Sequence, residues 1–161
     1  MNTPRVATKE GRAATGRPPR ALYHRVTLVR DSGERYSEPL RTSSDVYRLF
    51  AEDAGTWDRE RFLVLALDGK NRLLGAETLS VGTLTASLVH PREVMKSLIL
   101  SNAAAFILLH NHPSGDPTPS AEDRAITQRL KEVGDVFGMR LLDHVIVGSA
   151  RYCSMSDEAI L

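Results

Sequence analysis

Three features of the sequence predict a mixed α/β domain with helices packed on a central sheet. Short apolar runs bounded by turn residues recur at 62–67 (FLVLAL), 104–109 and 139–147 (MRLLDHVIV), which is the length and composition of buried strands. Between them lie segments whose apolar residues fall at helical spacing: Val46, Leu49 and Phe50, then Val94, Leu98 and Ile99, then Ile126, Leu130 and Val133. No internal repeat or low-complexity segment interrupts the alternation, so two kinds of element share one core.

Taken in order, residues 23–30 (YHRVTLVR) alternate as a first strand, and the turn Asp31-Ser32-Gly33 follows. Ser43 and Ser44 mark the capped start of a helix of about three turns that should stop near Gly55. The runs 62–67 and 72–79 flank Asp68-Gly69-Lys70-Asn71 and should pair as a hairpin. Pro91 suits the first position of a helix running through Ser101, and a buried strand is expected at 104–109. The stretch 110–119 (HNHPSGDPTP) holds three prolines and a glycine, so it should be neither helix nor interior strand. Ser120 reopens a helix that Gly134 should close, and 139–147 and 151–155 read as closing strands.

A chain of 161 residues suits one domain with its own core. Its hydrophobic fraction of 42% and charged fraction of 25% fit neither a disordered chain nor a membrane protein, and no apolar run approaches the roughly 18 residues of a spanning helix. The first 20 residues carry five basic side chains against one acid and no apolar stretch, so they do not read as a secretory signal. A cytoplasmic location is expected, and the single Cys153 fits a reducing compartment as a small buried strand residue. Residues 1–21 are expected to be a disordered basic tail and 22–161 the folded domain. The net charge of +1 leaves 16 basic against 19 acidic residues, or −3, beyond residue 20. Nothing in that balance supports direct binding to a nucleic-acid backbone.

The chemistry is concentrated in HNHPSGDPTPSAED, from His110 to Asp123. Side chains two apart on extended backbone point the same way, so His110 and His112 can present two imidazoles to one point. The intervening prolines and glycine turn the chain back and return Asp123 on the first turn of the next helix. Two nitrogens and a carboxylate are the three-ligand set of a catalytic zinc, which keeps its fourth position for water, whereas structural zinc is usually closed by four protein ligands. Such a metal lowers the water's pKa from about 16 to about 7 and so favours hydrolysis. Ser120 lies where its hydroxyl could donate to a developing oxyanion. Each half also has an ordinary reading. An isolated pair of histidines is commonly structural, and Ser-x-x-Asp is a capping-box variant.

The pattern His-x-His, seven residues, Ser, two residues, Asp is matched at His110, His112, Ser120 and Asp123, and it resembles the signature of JAMM metalloproteases. The words LVHPREV (88–94), SNAAAFILLHNHPSGDPTPS (101–120) and LLDHVIVG (141–148) narrow the resemblance to the RadC-type domain over about residues 24–161. The resemblance implies an MPN/JAB fold, cytidine-deaminase-like, with a central mixed sheet and flanking helices. It also implies Zn2+ held by His110, His112 and Asp123, and Ser120 stabilising a tetrahedral intermediate. An upstream glutamate would shuttle protons toward a peptide or protein substrate. Glu60 and Glu77 both qualify, and the family's order of elements favours Glu60. Longer members of the family carry a helix-hairpin-helix module ahead of this domain that the sequence lacks, which argues against direct DNA binding. The rival expectation is a non-catalytic or accessory protein of DNA repair or mobile elements that keeps the metal for structure.

Other residues admit two readings each. Asp116 is a competing ligand or a turn former, and His144 is either outer support for the metal or a hydrogen-bonded core histidine. His90 should shape a helix start, Arg92 could meet a substrate carboxylate, and His24 reads as surface. Oligomeric state is not legible.

Overall fold

The computed structural model describes residues 36–82 and 89–161. The expected strand at 23–30, the basic tail and His24 lie outside the described residues. The elements are α1 (Ser43–Gly55), β1 (Arg61–Leu67), β2 (Leu73–Val81), α2 (Pro91–Leu100), β3 (Ala105–Asn111), α3 (Ala121–Val136), β4 (Arg140–Val147) and β5 (Tyr152–Ser154). They form one five-stranded sheet in the order β2-β1-β3-β4-β5. The hairpin β1–β2 and the pairs β1–β3 and β4–β5 are antiparallel, and β3–β4 is parallel. A parallel pair needs a crossover, and α3 supplies it. This is the mixed sheet with flanking helices expected of a JAB/MPN-like fold.

Strand periodicity divides the core in two. Phe62, Val64 and Ala66 of β1 and Phe106 and Leu108 of β3 face one cluster with Val94, Met95 and Leu98 of α2 and Ile126 and Leu130 of α3. Leu63, Leu65, Ile107, Leu109, Val145 and Val147 face the other, where Val46 and Ala54 of α1 pack. The three central strands are buried on both faces, so β1 and β3 read as continuous apolar runs rather than alternating ones. Each fully buried Leu or Phe contributes about 1.5–3 kcal/mol of burial.

Three boundaries differ from the sequence expectation. The cap of α1 is Thr42, not Ser43 or Ser44: its side chain accepts from the Asp45 N–H while the Asp45 carboxylate accepts from the Thr42 N–H. The helix α3 runs past Gly134 to Val136, and Gly138, at φ 70°, turns the chain out. Gly134 is instead an interior contact, for a Cβ there would lie 2.6 Å from the Met139 carbonyl oxygen and 2.8 Å from the Phe106 ring. The strand β3 continues through His110 and Asn111, which pair with Phe62 on one side and with Ile146 and Val147 on the other. The Pro-rich loop therefore begins at His112, two residues later than its composition suggested. Pairing on both edges outweighs the loop signal of the prolines that follow. At α2 the expectation holds: His90 caps the helix, its Nδ1 accepting from the Arg92 N–H at 3.4 Å, with Pro91 in the first turn.

Candidate metal centre

The loop and the start of α3 bring four groups to one place. Ligand-capable atoms of Glu60, His110, His112 and Asp123 all lie within 4.8 Å of one another. The two Nε2 atoms are 2.9 Å apart. His110 Nε2 is 3.2 Å from Asp123 Oδ1 and 4.0 Å from Glu60 Oε1, and His112 Nε2 is 3.5 Å from Asp123 Oδ2. His110 is 0% exposed and Asp123 1%, while the Glu60 side chain keeps 19% of its surface and forms part of the open side.

Each group is placed by a different element. His110 sits in β3 at the centre of the sheet. His112 leaves the strand but its N–H still donates to the Val147 carbonyl at 2.8 Å, and its Nδ1 donates to the Asp116 carbonyl at 2.6 Å. A carbonyl can only accept, so His112 carries a proton on Nδ1, and Nε2 is the ring atom turned toward His110 and Asp123. Asp123 lies at the third position of α3, where Ser120 caps the helix. The Ser120 N–H and hydroxyl each donate to Asp123 Oδ2 at 2.7 Å, and the Asp123 N–H donates back to Ser120 Oγ at 3.0 Å. The capping box thus also fixes the Asp123 carboxylate beside the two histidines. Glu60 precedes β1 on the edge nearest His110, and its carbonyl accepts from the Gly82 N–H at 2.8 Å.

The electrostatics favour a cation. Burial opposes ionisation of Asp123, but His110, His112 and Ser120 outweigh it and hold the carboxyl far below the usual carboxylate range. The hydrogen bond to Asp123 and the Asp116 carbonyl push the His112 imidazole up, against the opposing pull of burial. Imidazole nitrogens and carboxylate oxygens converging on one point suit a divalent cation, and a 2.9 Å approach of two Nε2 atoms is repulsive unless a proton or cation lies between them. The donor set therefore fits a metal cation.

The family comparison agrees with the geometry. Residues 40–160 match the family model described as the RadC-like JAB domain. The chain belongs to that family. Among its curated relatives are UPF0758 proteins of Syntrophotalea carbinolica (50% identical over 129 residues, 80% of this chain and 55% of the relative) and Desulforamulus reducens (48% over 122 residues, 76% and 54%). A UPF0758 protein of Methanosarcina mazei is 44% identical over 135 residues, covering 84% of this chain and 57% of the relative. The RadC-like chain thus spans about 55% of the length of the curated relatives it matches.

Of the residues singled out in the sequence, the structure gathers Glu60, His110, His112 and Asp123, with Ser120 bonded to the last. Glu77 does not join them; it lies exposed on β2, opposite Val64. Asp116 is a turn former rather than a ligand: its Oδ1 accepts from the Thr118 N–H and hydroxyl and from Arg151. Arg92 is exposed and paired with Glu93 at 3.2 Å. Cys153 is half-buried in β5, and burial pushes its thiol up. His144 is fully buried and 2.8 Å from His110 Nδ1, with burial driving its imidazole well below the ordinary histidine range.

Two residues escape the sequence reading. Asn111, between the histidines, accepts from the Arg61 N–H at 2.8 Å and donates to the Arg59 carbonyl at 3.2 Å. Thr127 lies 2.5 Å from His144 Nδ1. An asparagine inside a His-x-His pair was a signal for the first; a threonine one turn beyond Asp123, on its face of the helix, was a weaker one for the second. Among the described residues no helix is long and apolar enough to cross a membrane.

Proposed function

We propose that this RadC-like domain is a zinc-dependent hydrolase of a peptide or isopeptide amide, with His110, His112 and Asp123 as the ligands. The observation that carries the reading is the convergence of two imidazoles, a buried carboxylate and a half-open glutamate within 4.8 Å. Three of these form a ligand set that leaves a fourth position for water. When bound, zinc supplies carbonyl polarisation and a water pKa lowered from about 16 to about 7.

The chain's own groups do the remaining work. Glu60, on the open side, takes a proton from the attacking water and delivers it to the leaving nitrogen. The water oxygen bonds to the carbonyl carbon as the C=O bond opens to an oxyanion. When C=O re-forms the C–N bond breaks, the nitrogen leaves with the proton that Glu60 carried, and the second water proton stays on the new carboxyl group. Rotation about the Ser120 Cβ–Oγ bond turns the hydroxyl hydrogen from Asp123 Oδ2 toward the developing oxyanion while Oγ goes on accepting from the Asp123 N–H. The fixed caps and strand pairings keep these groups in place, so little reorganisation accompanies reaction.

Metal analysis of the purified protein and of His112→Ala, alongside cleavage of a peptide library with and without chelator, tests the proposal. One equivalent of zinc, lost in the variant, with chelator-sensitive cleavage is expected. Zinc without cleavage, together with salt-dependent DNA binding that survives metal removal, would instead favour an accessory role in DNA repair or mobile-element biology.

A further inference from the structure

The ring of His110 is held from behind by a chain of hydrogen bonds that the proposed reaction does not use. His110 Nδ1 lies 2.8 Å from His144 Nε2, and His144 Nδ1 lies 2.5 Å from Thr127 Oγ1. Thr127 Oγ1 is also 2.5 Å from the Asp123 carbonyl oxygen and 3.5 Å from Met155 Sδ. All of these side chains are buried, and Phe62 packs against both rings.

The direction of the chain follows from counting protons. A threonine hydroxyl has one hydrogen, and both the Asp123 carbonyl and the Met155 sulfur can only accept. If that hydrogen went to His144, the hydroxyl and carbonyl oxygens would meet at 2.5 Å with nothing between them. The hydrogen therefore belongs on the Asp123 carbonyl, and the Thr127 oxygen accepts from His144 Nδ1–H. A neutral His144 then has a bare Nε2, which can only accept from His110 Nδ1–H. The last proton in the chain is thus fixed on the far side of His110, and Nε2 is the ring atom turned inward, 2.9 Å from His112 Nε2 and 3.2 Å from Asp123 Oδ1.

We propose that Thr127 and His144 are positioning residues that select the metal-binding tautomer of His110 before any cation arrives. The inference rests on the metal-centre reading above. The chain begins and ends on two proposed ligands, for Thr127 bonds the backbone of Asp123 while His144 bonds the ring of His110, so it also locks α3 to β3. Partners of this kind commonly alter metal affinity by about 10–100-fold.

The test compares wild type, Thr127→Ser and Thr127→Val in the full chain. Imidazole 1H–15N spectra of the metal-stripped protein should show the His110 proton on Nδ1 in wild type and Thr127→Ser. In Thr127→Val, His144 loses its acceptor, and the protons of both rings should move to Nε2. Zinc affinity, read by competition with a chromophoric chelator, should fall by about 10–100-fold in Thr127→Val and stay near wild type in Thr127→Ser. A wild-type His110 proton on Nε2 overturns the proposal by itself, whatever the variants do. So does an unchanged tautomer and affinity in Thr127→Val, or in Thr127→Ala should the valine variant fail to fold. A wild type that takes up no zinc would sink the metal-centre reading, while its spectra would still decide the relay.

Discussion

Asn111 holds Glu60 in place through the backbone: its side-chain amide accepts from the Arg61 N–H at 2.8 Å and donates to the Arg59 carbonyl at 3.2 Å, gripping the chain on both sides of the glutamate. The residue between the two proposed histidine ligands thereby sets how far the proposed base stands from them. Asn111→Ala should lower kcat by about 10–100-fold while zinc content stays at the wild-type level, since a misplacement near 1 Å can cost that much. Steady-state kinetics beside metal analysis checks the split. Loss of zinc in step with activity would show that Asn111 supports the ligands instead.

Glu60→Gln keeps the shape of the side chain and removes its basicity. Zinc binding should persist and turnover should drop by about 100-fold or more, in line with the usual weight of a general base. Glu77→Gln, on the exposed face of β2, should match wild type in the same assay. If the two variants behaved in the opposite way, the proton shuttle would belong to the hairpin's second arm.

Gly134 offers a prediction about stability alone. Alanine is the better helix former by about 1 kcal/mol, yet its Cβ would stand 2.6 Å from the Met139 carbonyl oxygen and 2.8 Å from Phe106. The close approach should win, because the Met139 backbone and a buried ring have little room to give. Gly134→Ala should therefore destabilise by about 1–3 kcal/mol in denaturant unfolding, and a stabilised variant would mean that the helix shifts freely.

Asp68 gives the pH dependence. Hydrogen bonds from the Arg72 backbone and side chain lead in holding its pKa down to about 2, with a further one from the Lys70 N–H. A carboxyl depressed in the folded state adds stability above its unfolded pKa, and that contribution fades as pH falls through the folded value. The Tm difference between wild type and Asp68→Asn should thus be widest near neutrality and shrink between about pH 4 and pH 2. A difference that does not change across that range would exclude the carboxylate charge as the source.

The sequence made much of this legible because the local signals agreed. Apolar runs located β1 and β3, the Asp68–Asn71 turn joined the hairpin, and Pro91 marked the start of α2. The convergence of His110, His112 and Asp123 could be read from spacing because Pro113, Pro117 and Pro119 leave the loop few paths between strand and helix. What failed was decided by tertiary contact. Gly134 looks like a helix end until Phe106 is found against it. His110 looks like a loop residue until its pairing with Phe62 and Ile146 is seen. Asn111 and Thr127 were missed because their roles depend on Arg59, Arg61 and His144, which are far away along the chain and adjacent only once the sheet has formed.

The strand β3 is zipped to β1 on one edge and to β4 on the other through His110 itself. The proposed ligand seated there has no private hinge: shifting its backbone means separating the innermost strands, the last part of a domain to open. If the proposed centre holds an ion, its escape under native conditions should be governed by the slow breathing of the whole sheet, and fluctuations of the neighbouring loop should leave its residence time unchanged.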